Sequence, residues 1–347
     1  MTHPRVFPRQ VLRHLPVGQG HTMSYRVVGN ASGPVWLALH GGPGSGANPA
    51  LLRAFDLTRV QVVLPDQRGC GGATPRGGLR ANQWPWLVQD LEAMRAHLGV
   101  QRWAVLGGSW GATLALAYAA NHPDAVERLV LRGCFDASAR ATRTLLQAHA
   151  PTAWRARLRA LPDRAVWHWL SQLLHSGTPG VTQRLTQWNR LELRAAELGA
   201  RRALRQALPT DGPAARRHWR QLHRQLRQLP HLAPLKRAQQ ALSWQIKYRI
   251  QAHYLARRCH IRPSDWTSWL NQLAASQLPC AWVHGQFDSI CPPSTSERGH
   301  AWLRQRGHTA SHLRLVPGAH LPTDPAVLAG LWACTVAPAS ATTAPVG

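Results

Sequence analysis

The sequence predicts an α/β fold in which a mostly parallel sheet flanked by helices is interrupted by a helical insertion. Short apolar runs alternate with helical patterns in residues 1–136, and two more strand patterns return after residue 276. The segment between them shows helical patterns and no strand pattern. With 347 residues, 44% of them hydrophobic, the chain can bury a sizeable core.

The sheet is predicted from apolar runs of strand length. These runs lie at residues 35–39, 60–64, 103–106, 129–131, 281–283 and 313–316. Helical spacing of apolar residues predicts helices over residues 86–98 and 111–120, the second ending before Pro123.

The insertion is rich in Arg, Gln, Leu and Trp and is broken by several prolines. We therefore expect a sheet domain made of residues 1–136 and 276–335, with a helical cap of residues 137–275 inserted between its two parts. The Ala-, Thr- and Pro-rich residues 336–347 are expected to be a disordered tail.

The formal net charge of +26 arises from 41 basic and 15 acidic residues and is concentrated in the cap. Such a charge can indicate a nucleic acid or another acidic partner. The alternative is codon usage, because Lys236 and Lys247 are the only lysines and the abundance of Arg, Ala, Gly and Pro is typical of a GC-rich genome. We favour codon usage and expect no nucleic-acid partner.

Several classes of protein are disfavoured by the remaining composition. No stretch approaches the roughly 18 apolar residues of a membrane helix, and the first 20 residues lack the apolar centre of a secretory signal. The six cysteines form no CxxC pair. We expect a cytoplasmic protein with reduced thiols, without a membrane partner, metal or cofactor. The oligomeric state is not predicted.

Residues 107–111, Gly-Gly-Ser-Trp-Gly, match the G-x-S-x-G pattern of a serine at a sharp turn between a strand and a helix. The predicted strand at 103–106 precedes the motif and the predicted helix at 111–120 follows it. Small neighbours allow the tight turn, and the helix N-terminus favours developing negative charge. In this setting the motif predicts Ser109 as a nucleophile and the α/β-hydrolase fold.

A serine nucleophile needs a base, and the base needs an orienting acid. In this fold the chain order is serine, acid, histidine. Asp288 and His320 each follow one of the last two predicted strands, at the edge where such a sheet places its site. We therefore predict Asp288 as the acid and His320 as the base. The weaker alternatives are Asp324 for the acid, and His300 and His308 for the base.

The tetrahedral intermediate of acyl transfer requires two N–H donors. The first candidate is the backbone of Trp110, directly after the nucleophile. The second is Gly42 in the loop His-Gly-Gly-Pro-Gly at 40–44, where glycine allows close approach to a substrate. A plain turn remains the alternative for this loop. The segment at 66–71 is predicted to be a structural loop near the site.

These motifs together resemble the proline iminopeptidase (prolyl aminopeptidase) family. The resemblance is carried by residues 40–44, 66–71, 107–113, 131–133 and 283–285 together with Asp288. It implies a serine exopeptidase that releases N-terminal proline without a metal, with the triad and the oxyanion donors as given above. Cys291 matches a cysteine that the family keeps close to the site.

The resemblance weakens in the cap. Family members hold the substrate's ammonium with two glutamates, and Glu192 matches the first of them. Gln251 stands where the second is expected, so it keeps an acceptor oxygen but lacks the charge. We expect Glu192 and Gln251 to meet the amine with weakened affinity.

Two alternative functions therefore remain. The first is an esterase or amidase that uses the same triad with an altered cap specificity. The second is a non-catalytic basic binding protein built on a hydrolase scaffold.

Overall fold

The computed structural model describes residues 11–138, 180–207, 211–228 and 234–336, together with the single positions 156, 162, 165 and 172. Its strands are β1 (Arg13–Gly18), β2 (His21–Gly29), β3 (Val35–Leu39), β4 (Gln61–Asp66), β5 (Trp103–Gly108), β6 (Val126–Arg132), β7 (Cys280–Gly285) and β8 (Ser311–Val316). Its helices are α1 (Trp84–His97), α2 (Trp110–Asn121), α3 (Val181–Gln206), α4 (Gly212–Gln228), α5 (Pro234–Leu255), α6 (Pro263–Ser276), α7 (Ser294–Gln305) and α8 (Pro325–Val336). The predicted tail after Val336, and residues 139–179 apart from those single positions, lie outside the described residues.

The strands form one sheet in the order β1-β2-β4-β3-β5-β6-β7-β8. Strands β3 to β8 are parallel to one another, whereas β2 runs antiparallel to both β1 and β4. The predicted mostly parallel sheet flanked by helices is therefore confirmed. Each of the six predicted strands overlaps one of β3 to β8.

The hairpin of β1 and β2 is missing from the sequence-based prediction. β1 is an edge strand whose residues are exposed or half-buried, and it contains Pro16, which a sheet tolerates at its edge. In β2 a buried polar residue, Ser24, lies between the buried Met23 and Tyr25 in the sequence. Its hydroxyl donates a 2.7 Å hydrogen bond to Asp66. Neither strand therefore shows the plain apolar run on which the other strands were predicted.

Successive residues of the parallel strands face opposite sides of the sheet. In β3, Leu37 and Leu39 join a buried cluster with α1, α2, α6 and α7. Trp36 and Ala38 join a second cluster with α8 and the short 3-10 helix Pro49–Ala54. Burial on both faces explains why these strands are continuous apolar runs in the sequence.

The predicted cap contains α3, α4 and α5, in which α3 packs against both of the other helices. Leu185 and Trp188 of α3 share the first buried cluster with Trp244 and Tyr248 of α5. Helix α6 packs instead on α2, although the boundary predicted at residue 275 assigns it to the cap. We propose that the cap ends before α6, and the division into domains stays a prediction. Among the described helices, none has the length and apolarity needed to cross a membrane.

The loop that follows β4 is held by a buried ion pair. Arg68 Nε donates to Asp90 Oδ2 at 2.6 Å and Arg68 Nη2 donates to Asp90 Oδ1 at 2.7 Å, with both side chains 1% exposed. Arg68 Nη1 also donates to the carbonyl oxygen of Ala81 at 2.8 Å. Because the pair is bidentate and its remaining donors find carbonyl partners, it can be buried without an unpaired charge.

Removal of one partner of this ion pair should therefore lower the stability of the fold. We expect Asp90→Ala to lower the free energy of unfolding by about 3–5 kcal/mol, because Arg68 would be left buried without its counter-charge. Urea denaturation measures this change. As a control, Arg298→Ala removes an arginine that is 64% exposed and paired with Asp136, and it should cost less than about 1 kcal/mol. Equal effects of the two changes would contradict the prediction.

Candidate active site

Ser109 lies at the turn between β5 and α2, with φ 56° and ψ −123°. A positive φ is uncommon for a residue with a side chain and costs on the order of 1–3 kcal/mol. Close packing around the turn leaves no room for side chains at the two neighbouring glycines. A Cβ at Gly107 would lie 2.2 Å from the carbonyl oxygen of Gly111, and a Cβ at Gly111 would lie 2.4 Å from that of Leu39. Both glycines of the motif are therefore required by close backbone contacts.

Asp288 follows β7 and His320 follows β8, as the sequence predicts. His320 Nδ1 lies 2.6 Å from Asp288 Oδ2, and both residues are buried. The other oxygen of Asp288 accepts the backbone N–H groups of Ile290 and Cys291, each at 2.8 Å. The carboxylate is therefore fixed in place, and it orients the imidazole of His320.

The alternative acid and bases occupy other positions. Asp324 accepts the backbone N–H groups of Ala319 and Ala326 at 3.0 and 3.1 Å, so it braces the loop that carries His320. The ring of His300 is hydrogen-bonded to the hydroxyl of Ser311. The ring of His308 is hydrogen-bonded to the carbonyl oxygen of Leu278.

The ionisation of the pair follows from its surroundings. Burial by itself would raise the pKa of Asp288, but the charge of His320 and the hydrogen bonds from His284 and His320 hold that pKa below its usual value. Burial lowers the pKa of His320; Asp288 opposes this effect, and the charge of Arg132 adds to it. With Asp288 accepting at Nδ1, the neutral ring carries its proton there, which leaves Nε2 as the basic nitrogen.

His284 is a buried residue of this site that the sequence analysis did not assign to a role. Its Nδ1 lies 2.7 Å from the hydroxyl of Ser296, and its Nε2 lies 2.9 Å from the carbonyl oxygen of Cys291 and 3.3 Å from Asp288 Oδ2. It therefore supports the loop that presents the acid. Its position at the end of β7, four residues before Asp288, was the signal available in the sequence.

Arg132 was likewise not assigned, although it lies at the end of β6 and is only 5% exposed. Its Nη1 donates to the backbone carbonyl of His320. A Cβ at Gly108 would lie 2.3 Å from Arg132 Nη2, so the guanidinium fills the space beside the nucleophile turn. Arg132 thus ties β6 to the loop that carries His320 and packs against the end of β5.

The hydroxyl of Ser109 lies 3.8 Å from Sγ of Cys291, and either atom can be the donor. Among the described residues the hydroxyl has this sulfur, and not His320, as its hydrogen-bonding partner. Proton transfer to His320 therefore requires a closer approach of the hydroxyl to the imidazole. Catalytic hydrogen bonds are often completed only when substrate is bound.

The two predicted oxyanion donors belong to the nucleophile turn and to the loop after β3. Trp110 is the first residue of α2, so its N–H has no partner within the helix. In the opposite loop, Gly42 has φ 123°. A Cβ at Gly41 would lie 2.9 Å from the carbonyl oxygen of Gly108 and 3.1 Å from Cβ of Ser109, so this loop approaches the turn closely.

Gln67 locks this loop to the turn. Its Nε2 donates to the carbonyl oxygen of His40 at 2.9 Å, and its Oε1 accepts Nε1 of Trp110 at 2.9 Å. The backbone N–H of Gln67 also donates to Nε2 of His40 at 3.1 Å. The segment after β4 is thus a structural part of the site, as predicted from the sequence.

The structure brings Glu192 of α3 and Gln251 of α5 into contact, with Gln251 Nε2 donating to Glu192 Oε1 at 2.9 Å. Lys247 and Tyr248 donate to the other oxygen of Glu192, the tyrosine at 3.1 Å. Burial by itself would raise the pKa of Glu192, but the charge of Lys247 and these hydrogen bonds hold it below its usual value. Glu192 is therefore an ionised carboxylate with partners on both oxygens.

Gln251 is predicted to meet the substrate's amine, and the structure shows how its side chain is oriented. Trp188 Nε1 donates to Gln251 Oε1 at 2.8 Å. Because an indole N–H can only donate, it fixes the amide oxygen of Gln251 on the side of Trp188. The amide nitrogen then faces Glu192, and it reaches the carbonyl oxygen of Gly42 at 3.4 Å. Gln251 therefore donates toward Glu192, and one of the two lone pairs of its oxygen is used by Trp188.

One cavity of about 300 Å³ joins these groups. Its polar lining includes Gly42, Ser109, Arg132, Glu192, Lys247, Gln251, Cys291 and His320. The lining therefore combines the loops after β3, β5, β6, β7 and β8 with two helices of the cap. Within the part of the chain that the structure describes, no three His, Cys, Asp or Glu side chains are grouped so that they could hold a metal ion.

Comparison with known proteins agrees with this architecture. Residues 34–166 match the alpha/beta hydrolase fold family. A solved structure of a proline iminopeptidase-related protein from Thermus thermophilus superposes with a TM-score of 0.54 at 19% identity, covering 93% of this chain and 95% of that one. At this identity the likeness shows the fold.

Two curated relatives are more similar in sequence. A protein named "Probable proline iminopeptidase" from Leptolyngbya boryana is 31% identical over 334 residues, which is 95% of this chain and 94% of the relative. The proline iminopeptidase of Xylella fastidiosa (strain 9a5c) is 33% identical over 309 residues, which is 88% of each chain. Similarity at this level extends through the cap as well as the sheet, and the chain belongs to the proline iminopeptidase family of α/β hydrolases.

Proposed function

We propose that this protein is a serine exopeptidase that releases N-terminal proline from peptides through an acyl-serine intermediate. The observation that carries the proposal is the shared cavity. Its lining includes Ser109, which lies at a strained turn, His320, which is hydrogen-bonded to Asp288, and Glu192. The names of the relatives supply the substrate class.

In the first step, Ser109 Oγ attacks the carbonyl carbon of the Pro–X bond while His320 Nε2 takes the hydroxyl proton. The carbonyl oxygen becomes an oxyanion, which the N–H groups of Gly42 and Trp110 stabilise. Asp288 remains deprotonated because its pKa lies below the usual value. Its negative charge stabilises the imidazolium that forms on His320.

In the second step, the C–N bond breaks and His320 gives its proton to the departing amine of residue X. The prolyl group remains as an ester on Ser109. His320 then takes a proton from water, whose oxygen attacks this ester, and the collapse of the second intermediate returns a proton to Ser109. One water is consumed for each proline that is released.

The cap supplies the exopeptidase character in this proposal. Glu192 is the acceptor for the substrate's ammonium, and Gln251 supports Glu192 instead of meeting the amine itself. Trp188 is 2% exposed and lies behind Gln251, so the proline ring is proposed to rest on other apolar side chains. Those that line the cavity are Phe135, Leu193, Leu255, Ile290 and Leu321.

An esterase or amidase with altered cap specificity is the second candidate function. It is favoured by the contacts of Gln251, whose oxygen is turned toward Trp188 and whose nitrogen faces Glu192. Rates on aminoacyl-naphthylamides compared with rates on short acyl esters separate the two functions. A non-catalytic binding protein has less support, because Ser109 and His320 line the same cavity and His320 is hydrogen-bonded to Asp288.

We further propose that the protein acts in the cytoplasm and without a nucleic-acid partner. All six cysteines are free thiols, and five of them are buried, as is usual for proteins of reducing compartments.

Ser109→Ala tests the mechanism. We expect turnover of proline-β-naphthylamide to fall by at least about 1,000-fold, because the acyl-serine can no longer form. The thermal unfolding midpoint should not decrease, since the hydroxyl's recorded contact is a 3.8 Å approach to Cys291. A fluorophosphonate probe should label the wild type and not the variant. Retained turnover in a folded variant would exclude Ser109 as the nucleophile.

The pH dependence of kcat/KM tests the role of His320. The base must be neutral, and burial holds the pKa of His320 below its usual 6.5. We therefore expect kcat/KM to rise with pH, to have its acid midpoint below 6.5, and to reach a plateau by about pH 7.5. A short acyl ester should be the substrate, because it carries no titrating amine. A midpoint above 7 would contradict a neutral resting imidazole.

A further inference from the structure

Lys247 is a cation inside the candidate substrate cavity. Its Nζ donates to Glu192 Oε2 and lies 3.4 Å from the hydroxyl of Tyr248. The nitrogen also lies 4.7 Å from the centre of the Tyr248 ring, within the range of a cation–π contact. Glu192 is therefore already paired with an ammonium group when the cavity is empty.

The charges of the cavity lining make this pairing important for the entry of a substrate's ammonium group. Among the described lining residues, Glu192 is the single carboxylate, while Lys247 and Arg132 are cations. The cavity consequently presents no net negative charge to an entering ammonium. A prolyl peptide must bring its N-terminal secondary ammonium into this space, and Glu192 is the group there that can neutralise it.

The acceptor capacity of Glu192 is also nearly used. An ionised carboxylate offers about four acceptor sites. Gln251 takes one on Oε1, and Lys247 and Tyr248 take two on Oε2. The oxygen of Gln251 is turned toward Trp188 and its nitrogen toward Glu192, so Gln251 adds a donor and not an acceptor beside the carboxylate. About one acceptor site of Glu192 is left, and an ammonium can place both of its N–H donors on this carboxylate only if the Lys247 ammonium leaves.

We propose that Lys247 is a specificity-determining residue that competes with the substrate's ammonium for Glu192. Its side chain is 22% exposed, so the ammonium can move toward solvent when a prolyl amine enters. Lys247 thereby reduces the affinity for free-amine substrates relative to ligands with an uncharged nitrogen. The inference rests on the proposed function only for the location of the amine subsite.

The test measures binding directly, so it does not depend on turnover. The probe is L-prolinamide, which carries the same secondary ammonium, titrated calorimetrically into Ser109→Ala and into Ser109→Ala/Lys247→Met. Methionine keeps an unbranched stem without the charge. We expect Kd for L-prolinamide to fall about tenfold on Lys247→Met, which corresponds to about 1.4 kcal/mol. The neutral N-acetyl-L-prolinamide should show no gain in affinity.

Three further comparisons test whether the gain in affinity depends on the charge of Lys247 and on Glu192. Lys247→Arg keeps a cation beside Glu192 and should not give the gain. Arg249→Met removes an exposed cation from the same helix and should not give it either. In a Glu192→Gln background, Lys247→Met should leave Kd within about twofold, because the contested carboxylate is gone.

The outcomes separate this inference from the proposed function. A Kd for L-prolinamide that stays the same or rises on Lys247→Met overturns the inference, as does a gain that persists in the Glu192→Gln background. Turnover of proline-β-naphthylamide by the enzyme with Ser109 intact is measured separately. Its absence would overturn the proposed function, while a tenfold gain in L-prolinamide affinity would still support competition at Glu192.

Discussion

The backbone of Ser109 is the constraint on which the rest of the site depends. Its positive φ is maintained because α2 packs directly on the end of β3, where the carbonyl oxygen of Leu39 leaves no room for a side chain at Gly111. The same contact brings the loop after β3 against the turn. Gln67 then fixes that loop to Trp110 by hydrogen bonds. The nucleophile and the proposed oxyanion donors are thus placed by one packing arrangement, and the strain at the serine is balanced by burial of α2.

The parts that the sequence predicts are those determined locally. Strands buried on both faces are apolar runs, and the glycines of residues 107–111 report a close backbone approach, so β3 to β8 and the turn could be located. Asp288 and His320 could be placed because parallel strands bring their carboxyl ends together. The hairpin of β1 and β2 was missed since an edge strand is half-exposed and has no such run. Arg132 was missed because its partner, the carbonyl of His320, is 188 residues away.

Gln251 shows why the cap was harder to predict. A glutamine has one acceptor and two donors, and the sequence does not tell which of them faces a substrate. The indole of Trp188, 63 residues away in the chain, settles the orientation by taking the oxygen. The consequence extends to Lys247, whose ammonium then becomes the charged partner of Glu192. The arrangement of these side chains is therefore determined by contacts between α3 and α5, which no local pattern encodes.

The net charge of +26 invites an electrostatic explanation of substrate preference, but screening by salt argues against it. Exposed arginines of α4, such as Arg216, Arg220 and Arg224, face solvent, where salt screens charges over about 8 Å. Lys247 contacts Glu192, and the two side chains are 22% and 20% exposed. Salt and solvent screen such a pair weakly, so its charges interact more strongly than the same charges would at the surface. One lysine in contact with the carboxylate should therefore affect an entering ammonium more than an arginine on the surface does. In the proposed competition, the selection of free-amine substrates depends on the pair formed by Lys247 and Glu192 and not on the overall charge of the cap.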